Sequence, residues 1–351
     1  MAFLTPEHVD ALDISRMIFH VVGPKDSDLV LMEEIDPRNH RAFFLERVKS
    51  TLSGNLFHFN GASVVRDSLA AIAADPVEFV PRSKALAQAF HIGHAGNTSR
   101  GVFLLLALKA GDESLWSLIK YDHETVLAYV KHEANGVILP DLSELQDTFV
   151  QSREALQKSA IVRLNGNGGD ICVRDRSKPS DISNYFRAFL GADRKHTPGD
   201  LTLKVISAAR MAAERNKAEL GVEAMKAFNR NLYQTVQNQD AFDPENPERF
   251  ISGLFGALPQ EAKFRTDFAK ELERQRIHTE NFDFDKAVVP RPSKRRIMTE
   301  EGIQVVFNAE DAGKVVRGRA NGQEIITITT NRITVDDDYP ETVGGRRGAA
   351  G

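Results

Sequence analysis

Near residue 176 the spacing of apolar residues passes from strand-like to helical, and that change limits the fold more than any single motif. Before it, the strongest segments read as strands: "GVFLLLALKAG" (101–111), "SLWSLIKYD" (114–122), "AIVRLN" (160–165) and "GDICVRD" (169–175). "AGDE" and "NGNGGD" supply turn chemistry between members of each pair, the second rich in residues that accept positive φ. After it, through "SKPSDIS" (177–183), the spacing is helical over 181–190, 199–217, 219–238, 247–255 and 259–277, with "FDPENPER" as an extended break. An antiparallel sheet followed by a helical run makes an α+β chain.

Smaller segments fill in this frame. "ISRMIFHVV" (14–22) and "DLVLMEEI" (28–35), joined by "GPKDSD", predict a hairpin. "NHRAFFLERVKSTLS" predicts a helix with Ala42, Leu45, Val48, Lys49 and Leu52 close to one face and Gly54 as its stop. "VVRDSLAAIAADP" and "PRSKALAQAFHIGHAG" predict two more helices, and "LPDLSELQDTFVQSREALQKS" (139–159) has helical spacing. In "DISNYFRAFLGADRK" (181–195), Ile182, Tyr185, Phe186, Phe189 and Leu190 form one apolar stripe, with Asp181 as N-cap and Gly191 as C′ stop. At the far end, "KAVVPRPSKRR" (286–296) is a proline-containing linker with five Lys/Arg and no acid. "GIQVVFNAEDAGKVVRGRANGQEIITITTNRITV" then alternates like a small β-meander, turning tightest at "RANGQE". The expected organisation is an α+β domain with an antiparallel sheet over 1–176 and a helical domain over 177–285. A basic linker and C-terminal β segment follow over 286–338, then a disordered tail over 339–351.

Composition narrows the function. The 351 residues are 42% hydrophobic and 27% charged with a formal net charge of −4, so a nucleic-acid role requires a local basic face on a mildly acidic body. The one cysteine, Cys172, forms no internal disulfide framework and fits a reducing compartment. "MAFLTPEHVD" has neither the basic nor the apolar region of a signal peptide, and no apolar run is long enough to span a bilayer, so the expectation is a soluble cytoplasmic chain without membrane contact.

Catalytic patterns fail one by one. His91 and His94 lie three apart, but "HIGHAG" has no HExxH companion or second ligand pair nearby. Asp122 and Glu124 suggest a two-metal nuclease, yet the strand "SLIKYD" has Leu118 where an acid is needed. "NGNGGD" lacks the Lys-Ser/Thr of a phosphate-binding loop, Cys172 has no CxxC partner and no GxSxG occurs. The expectation is a non-enzymatic protein without a cofactor, metal site or catalytic residue.

The basic features survive. Between 187 and 217, Arg187, Arg194, Lys195, Lys204, Arg210, Arg215 and Lys217 face only Asp193, Asp200 and Glu214, a local excess of four positive charges. Lys294, Arg295 and Arg296 add a second strip. Long cationic side chains suit phosphate contact, and few aromatics interleave with them, which favours a duplex backbone over stacked single strands.

The pieces also carry a family resemblance. "DISNYFRAFLGAD", with its aromatic pair and Gly-Ala ending a helix after a β-rich half, resembles the motif of the bacterial 37-kDa nucleoid-associated protein family. "ISRMIFHVV" is similar to that family's first strand, "GVFLLLALKAGDESLWSLIKYD" to its central hairpin, and "GIQVVFNAEDAGKVVRGRANGQEIITIT" to its C-terminal strands. The chain departs from that pattern in its helical insert around 230–256 and its longer tail. The resemblance implies a DNA-associated, non-enzymatic protein at the nucleoid, with no catalytic residues to carry over. Together with the basic patch it leads to a sequence-tolerant double-stranded DNA binder, as a homo-oligomer. On this reading Asp26, Asp28, Glu33, Glu34 and Asp36 form acidic surfaces that face protein partners or another subunit. The alternative is an accessory subunit of a phage-defence or DNA-repair assembly in which the partner carries the activity.

Overall fold

The computed structural model describes residues 3–93, 99–122, 124–134, 137–149, 155–166 and 168–336, with backbone alone from 124 to 147. Contacts divide the chain into two units, Met1–Pro290 and Arg291–Gly351. The first unit begins with α1 (Pro6–Asp10), β1 (Leu12–Val22), α2 (Arg41–Thr51), β2 (Asn55–Phe59), α3 (Val64–Ala74) and α4 (Phe79–Ile92). Its strands continue with β3 (Gly101–Ala110), β4 (Glu113–Asp122), β5 (Glu124–Ala134), β6 (Val137–Thr148), β7 (Leu156–Asn165) and β8 (Gly168–Asp175). After α5 (Asn184–Leu190) and β9 (Ala192–Arg194) come α6 (Pro198–Arg215), α7 (Lys217–Asn238), β10 (Ala241–Phe242), α8 (Glu248–Phe255), α9 (Lys263–Arg274) and β11 (Phe282–Asp283).

Among the described residues seven strands make one sheet in the order β1-β3-β4-β7-β8-β2-β9, every neighbouring pair antiparallel. The two expected hairpins are present: Ala110 pairs with Glu113 across Gly111 (φ 65), and Asn165 pairs with Gly168 beyond Gly166 (φ 51). Side chains alternate across a strand, and both faces here are covered. One face packs Phe103, Leu105, Trp116 and Leu118 with α3, α4 and α5; the other packs Leu104, Leu106, Ile119 and Tyr121 with α2. That double cover is why "GVFLLLALKA" is apolar almost throughout instead of alternating. A separate core, including Val205, Phe228, Leu254, Phe268 and Phe282, joins α6 to α9.

Several local expectations change. Neither 139–148 nor 156–159 is helical: the first belongs to β6, which pairs with β5 from Ala134↔Val137 to Glu124↔Thr148, and the second opens β7. Leu139, Leu142 and Leu145 at intervals of three mimic a helix, but hairpin pairing with the preceding segment decides the conformation. Residues 28–35 do not pair as a strand either. They touch β1 through one bridge, Val21↔Val30, and through Ile35 N–H donating to the Met17 carbonyl at 2.9 Å. The face α2 buries is Phe44, Arg47, Val48 and Thr51, so of the five residues expected there only Val48 is buried, and Lys49 is exposed.

His20 fixes that 28–35 strap. It is buried, its Nδ1 accepts from Met32 N–H at 3.0 Å, and its Nε2 lies 2.9 Å from Ser83 Oγ. An accepting Nδ1 makes Nε2 the donor. Burial, then the nearby Lys84, pushes its pKa down to about 4. A base whose folded pKa is lowered stabilises the fold above its unfolded pKa, near 6.5, and that contribution drains away as pH falls toward 4. Urea unfolding between those limits is expected to show a slope approaching about 1.4 kcal/mol per pH unit from this group. His20→Leu should remove that part of the slope; an unchanged slope refutes the assignment.

The second unit carries β12 (Lys294–Met298), β13 (Gln304–Asn308), β14 (Val315–Ala320) and β15 (Gln323–Ile328). β12 pairs with β13 and β14 with β15, as two separate antiparallel ribbons. Asn321 (φ 52) and Gly322 (φ 81) form the tight turn expected at "RANGQE". The tail expected over 339–351 lies outside the described residues.

Candidate nucleic-acid interface

The cations of the 187–217 stretch are placed by α5, the turn into β9, α6 and the start of α7. Ile182, Phe186, Phe189 and Leu190 are buried and Tyr185 packs half-buried against them, so the predicted stripe is core. Gly191 closes α5 at φ 59, ψ 51, and a Cβ there would meet the Ala62 carbonyl at 2.6 Å, so glycine is required on two counts. Asp181 is not the N-cap. Ser183 holds that position, and the Asp181 carboxylate instead accepts from Lys178 at 3.1 Å and from Arg187.

Beyond Gly191 the chain enters β9 beside β2 and carries Arg194 inward. Its guanidinium donates to Glu280 Oε2 at 2.9 Å, to the Asn281 carbonyl at 2.7 Å and to the Ser180 carbonyl. Glu280 is wholly buried, and Leu56 N–H also donates to it at 3.0 Å. Lys195 lies nearer the surface, 2.9 Å from Asp170.

Helix α6 starts at the Thr197 N-cap and Pro198, and its Lys204 Nζ sits 3.5 Å from His196 Nδ1. Burial, then Lys204, lowers the His196 pKa, so an uncharged imidazole sits beside the ammonium. Arg215 pairs with Glu271 of α9 at 2.7 Å and Lys217 with Glu214 at 2.8 Å. Arg210 is exposed, without an ion pair to any described residue. At 100° per residue, Lys204 and Arg215 lie about 20° apart on α6, while Arg210 lies about 120° away from Lys204. The helix thus presents its cations on two sides.

Five of the seven cations therefore have acidic partners: Arg187, Arg194, Lys195, Arg215 and Lys217. Lys204 and Arg210 form no ion pair with a described residue, though Lys204, after the hydrogen bond from Thr197, helps to lower the carboxyl pKa of Asp200. In the second unit Lys294, Arg295 and Arg296 are all exposed and have no described acidic partner, with the Arg295 guanidinium 6.0 Å from the Phe307 ring centre. Strand alternation puts Lys294 and Arg296 on one face of their ribbon and Arg295 on the other. Sequence density missed other exposed cations without described acidic partners, among them Arg230, Arg249 and Arg276. They are scattered along the chain, so no local charge excess marks them.

The remaining candidates are engaged elsewhere. Asp122 accepts from Ser99 Oγ at 2.5 Å and from the buried Lys120 at 2.9 Å, which makes it that lysine's counter-ion. Burial lowers the Lys120 pKa despite this partner. His91 lies in the last turn of α4, His94 falls outside the described residues, and so does the Glu124 side chain. Among the described residues no group of three or more His, Cys, Asp or Glu could hold a metal ion. In the acidic strap, Glu33 pairs with Lys84, Glu34 with Arg16, Asp28 with Arg100 and Asp36 with Arg41. A cleft of about 800 Å³ lies away from α6, between α2, β8 and the 243–245 loop. Its charges mix Arg47, Lys49 and Arg174 with Glu46, Asp175 and Glu245, and Arg174 is tied to Glu245 at 3.2 Å.

The family model described as nucleoid-associated protein YejK (NA37) matches residues 18–334. The chain belongs to this family. The match spans both units, from β1 to beyond β15, and so covers the sheet, the helices and the ribbons alike. A comparison with curated proteins gave no match. Membership fits a nucleoid-associated role, and among the described residues no helix is long and apolar enough to cross a membrane.

Proposed function

We propose that the chain binds double-stranded DNA without marked sequence preference, at the nucleoid, and performs no catalysis of its own. The observation that carries this reading is the set of five exposed or half-exposed cations that form no ion pair with a described residue, Lys204, Arg210, Lys294, Arg295 and Arg296, in a member of the nucleoid-associated family, with Lys204 also within the field of Asp200. Partner chemistry ranks the others. Exposed ion pairs are worth only about 0–1 kcal/mol, so Lys195 and Lys217 exchange Asp170 and Glu214 for phosphate at small cost, while Arg187, part-buried with Asp181, exchanges less readily. Arg215 shares the buried Glu271 with Arg274 and exchanges less readily. Arg194 stays with Glu280 and positions its neighbours.

Counterion release gives a slope of log K on log salt near −0.9 per phosphate contact. Five cations without ion pairs predict a slope of about −4 to −5, and all nine basic residues other than Arg194 together about −8. Binding of the purified chain to a random duplex across a salt series measures it. Lys204→Glu/Arg210→Glu is expected to lower the magnitude of the slope by about 2. No binding at low salt sinks the reading. The alternative, an accessory subunit of a phage-defence or DNA-repair assembly, would act through the strap acids, four of which already hold cations of their own chain.

A further inference from the structure

The β12–β13 ribbon has two unlike faces. Its pairs run Lys294↔Asn308, Arg295↔Phe307, Arg296↔Val306, Ile297↔Val305 and Met298↔Gln304. Paired residues share a face, so Ile297, Val305 and Phe307 fall together with Arg295, and those three apolar side chains are half-buried. The opposite face holds Lys294, Arg296, Met298, Gln304, Val306 and Asn308, every one of them exposed. It carries two cations and no acid. Met298 is 60% exposed there and Val306 50%. Neither cation forms an ion pair with a described residue, and the Gln304 side chain makes no hydrogen bond to one. Asn308 is engaged at the rim: its side chain hydrogen-bonds to Asp311, whose charge Lys314 also meets at 2.9 Å.

Phosphates alone would leave Met298, Gln304 and Val306 without a use. Base edges would not, because they offer donors and acceptors to an amide and thymine methyls to apolar side chains. A glutamine amide both donates and accepts, so it finds a partner on any base pair, in keeping with binding that tolerates any sequence. Cations two apart on one strand reach the phosphates that line a groove. Size decides which groove. Two strands about 4.8 Å apart, with their side chains, fit a major groove about 12 Å wide and not a minor groove about 6 Å wide. Glu300 and Glu301 stand in the turn between the strands, so phosphate repulsion keeps the tip from entering first and the ribbon lies along the groove.

We infer that this exposed face of the β12–β13 ribbon enters the major groove of duplex DNA, with Lys294 and Arg296 on phosphates of the groove wall and Met298, Gln304 and Val306 over the base edges. The inference rests on the duplex-binding reading and adds to it the groove and the element that fills it. It also separates DNA from RNA, because the deep, narrow major groove of an A-form helix is closed to side chains.

Binding of the full chain to three forms of one random-sequence duplex at a fixed low salt tests it. The first is unmodified DNA. In the second every cytosine is glucosylated 5-hydroxymethylcytosine, which fills the major groove, and the third is saturated with netropsin, which fills the minor groove. Glucosylation is expected to weaken binding by about 10-fold or more, the loss of one good base-edge contact, and netropsin by less than about 3-fold. Double-stranded RNA of the same sequence should bind about as poorly as the glucosylated duplex. Val306→Glu should weaken binding to unmodified DNA by about 10-fold or more. Val316→Glu makes the same change in net charge at a valine 53% exposed on the β14–β15 ribbon, and should weaken it by less than about 3-fold. Both positions are open to solvent, so circular dichroism should stay unchanged in each variant.

Failure to bind unmodified DNA at low salt removes the duplex-binding reading and this inference with it. Binding that glucosylation leaves intact, that netropsin abolishes, or that RNA matches overturns the groove assignment alone. So does a Val316→Glu chain weakened as much as Val306→Glu.

Discussion

Glu280→Ala is expected to lower the stability of the chain by about 3–5 kcal/mol, the usual cost of removing one partner from a buried ion pair. The carboxylate has no solvent exposure, and the side chain of Arg194 has only 10%. Removing it leaves the Arg194 charge uncompensated and takes away the acceptor for Leu56 N–H. The damage reaches beyond the pair. Asn281 N–H donates to Asn55 Oδ1 at 2.7 Å and Asn55 Nδ2 to the Pro179 carbonyl at 3.0 Å, so the chain after α9 is sewn to β2 at this point. Burial first, against the pull of Arg194, raises the Glu280 pKa. A carboxyl raised in the folded state contributes less as pH climbs through that window, so Glu280→Gln should be milder than alanine. Denaturant unfolding at neutral pH decides the matter, and a loss below about 1 kcal/mol means the pair behaves as a surface pair.

Asp175→Ala is expected to cost a similar amount, about 3–5 kcal/mol, by stranding Lys158. Asp175 Oδ1 accepts from Lys158 Nζ at 2.6 Å and from Ser177 Oγ at 2.6 Å, while Oδ2 accepts from Ser183 N–H at 2.8 Å. Both members of the pair are buried, and Lys158 Nζ also lies 5.0 Å from the centre of the Tyr185 ring. Burial by itself would raise the Asp175 pKa, but the donors from Lys158, Ser177 and Ser183 outweigh it and hold the pKa below the usual value of 3.8. The contribution is therefore complete at neutral pH and disappears only as pH falls below 3.8. Replacing both partners with apolar residues, as in Lys158→Met/Asp175→Leu, should recover much of the single-site loss. If the double variant is no better than Asp175→Ala, the penalty comes from the lost serine contacts and not from the stranded charge.

These two pairs show where the sequence stops being informative. The α+β order, both sheet hairpins, the stripe from Ile182 to Leu190 and the Gly191 stop all depend on neighbours within a few positions, and all can be read from spacing. Residues 139–148 misled because three leucines at helical intervals outweighed a hairpin whose other strand precedes them. Asp181 misled because a nearby arginine competed for its carboxylate. The basic stretch was visible as composition, but its neutralisation was not. Arg194 meets Glu280 86 positions away, Lys195 meets Asp170 25 away, and Arg215 meets an acid on another helix. No local window holds both members of such pairs, so charge density over 187–217 overstates the positive field that a phosphate would meet.

The flanks of the main sheet set one more limit. At one side β9 is only three residues long; at the other, Val30 and Ile35 occupy backbone groups of Val21 and Met17. A long row of unpaired amides and carbonyls is what recruits a foreign strand, and neither flank offers one to a neighbour. Crowding many copies together therefore carries little danger of fusing their main sheets into fibres.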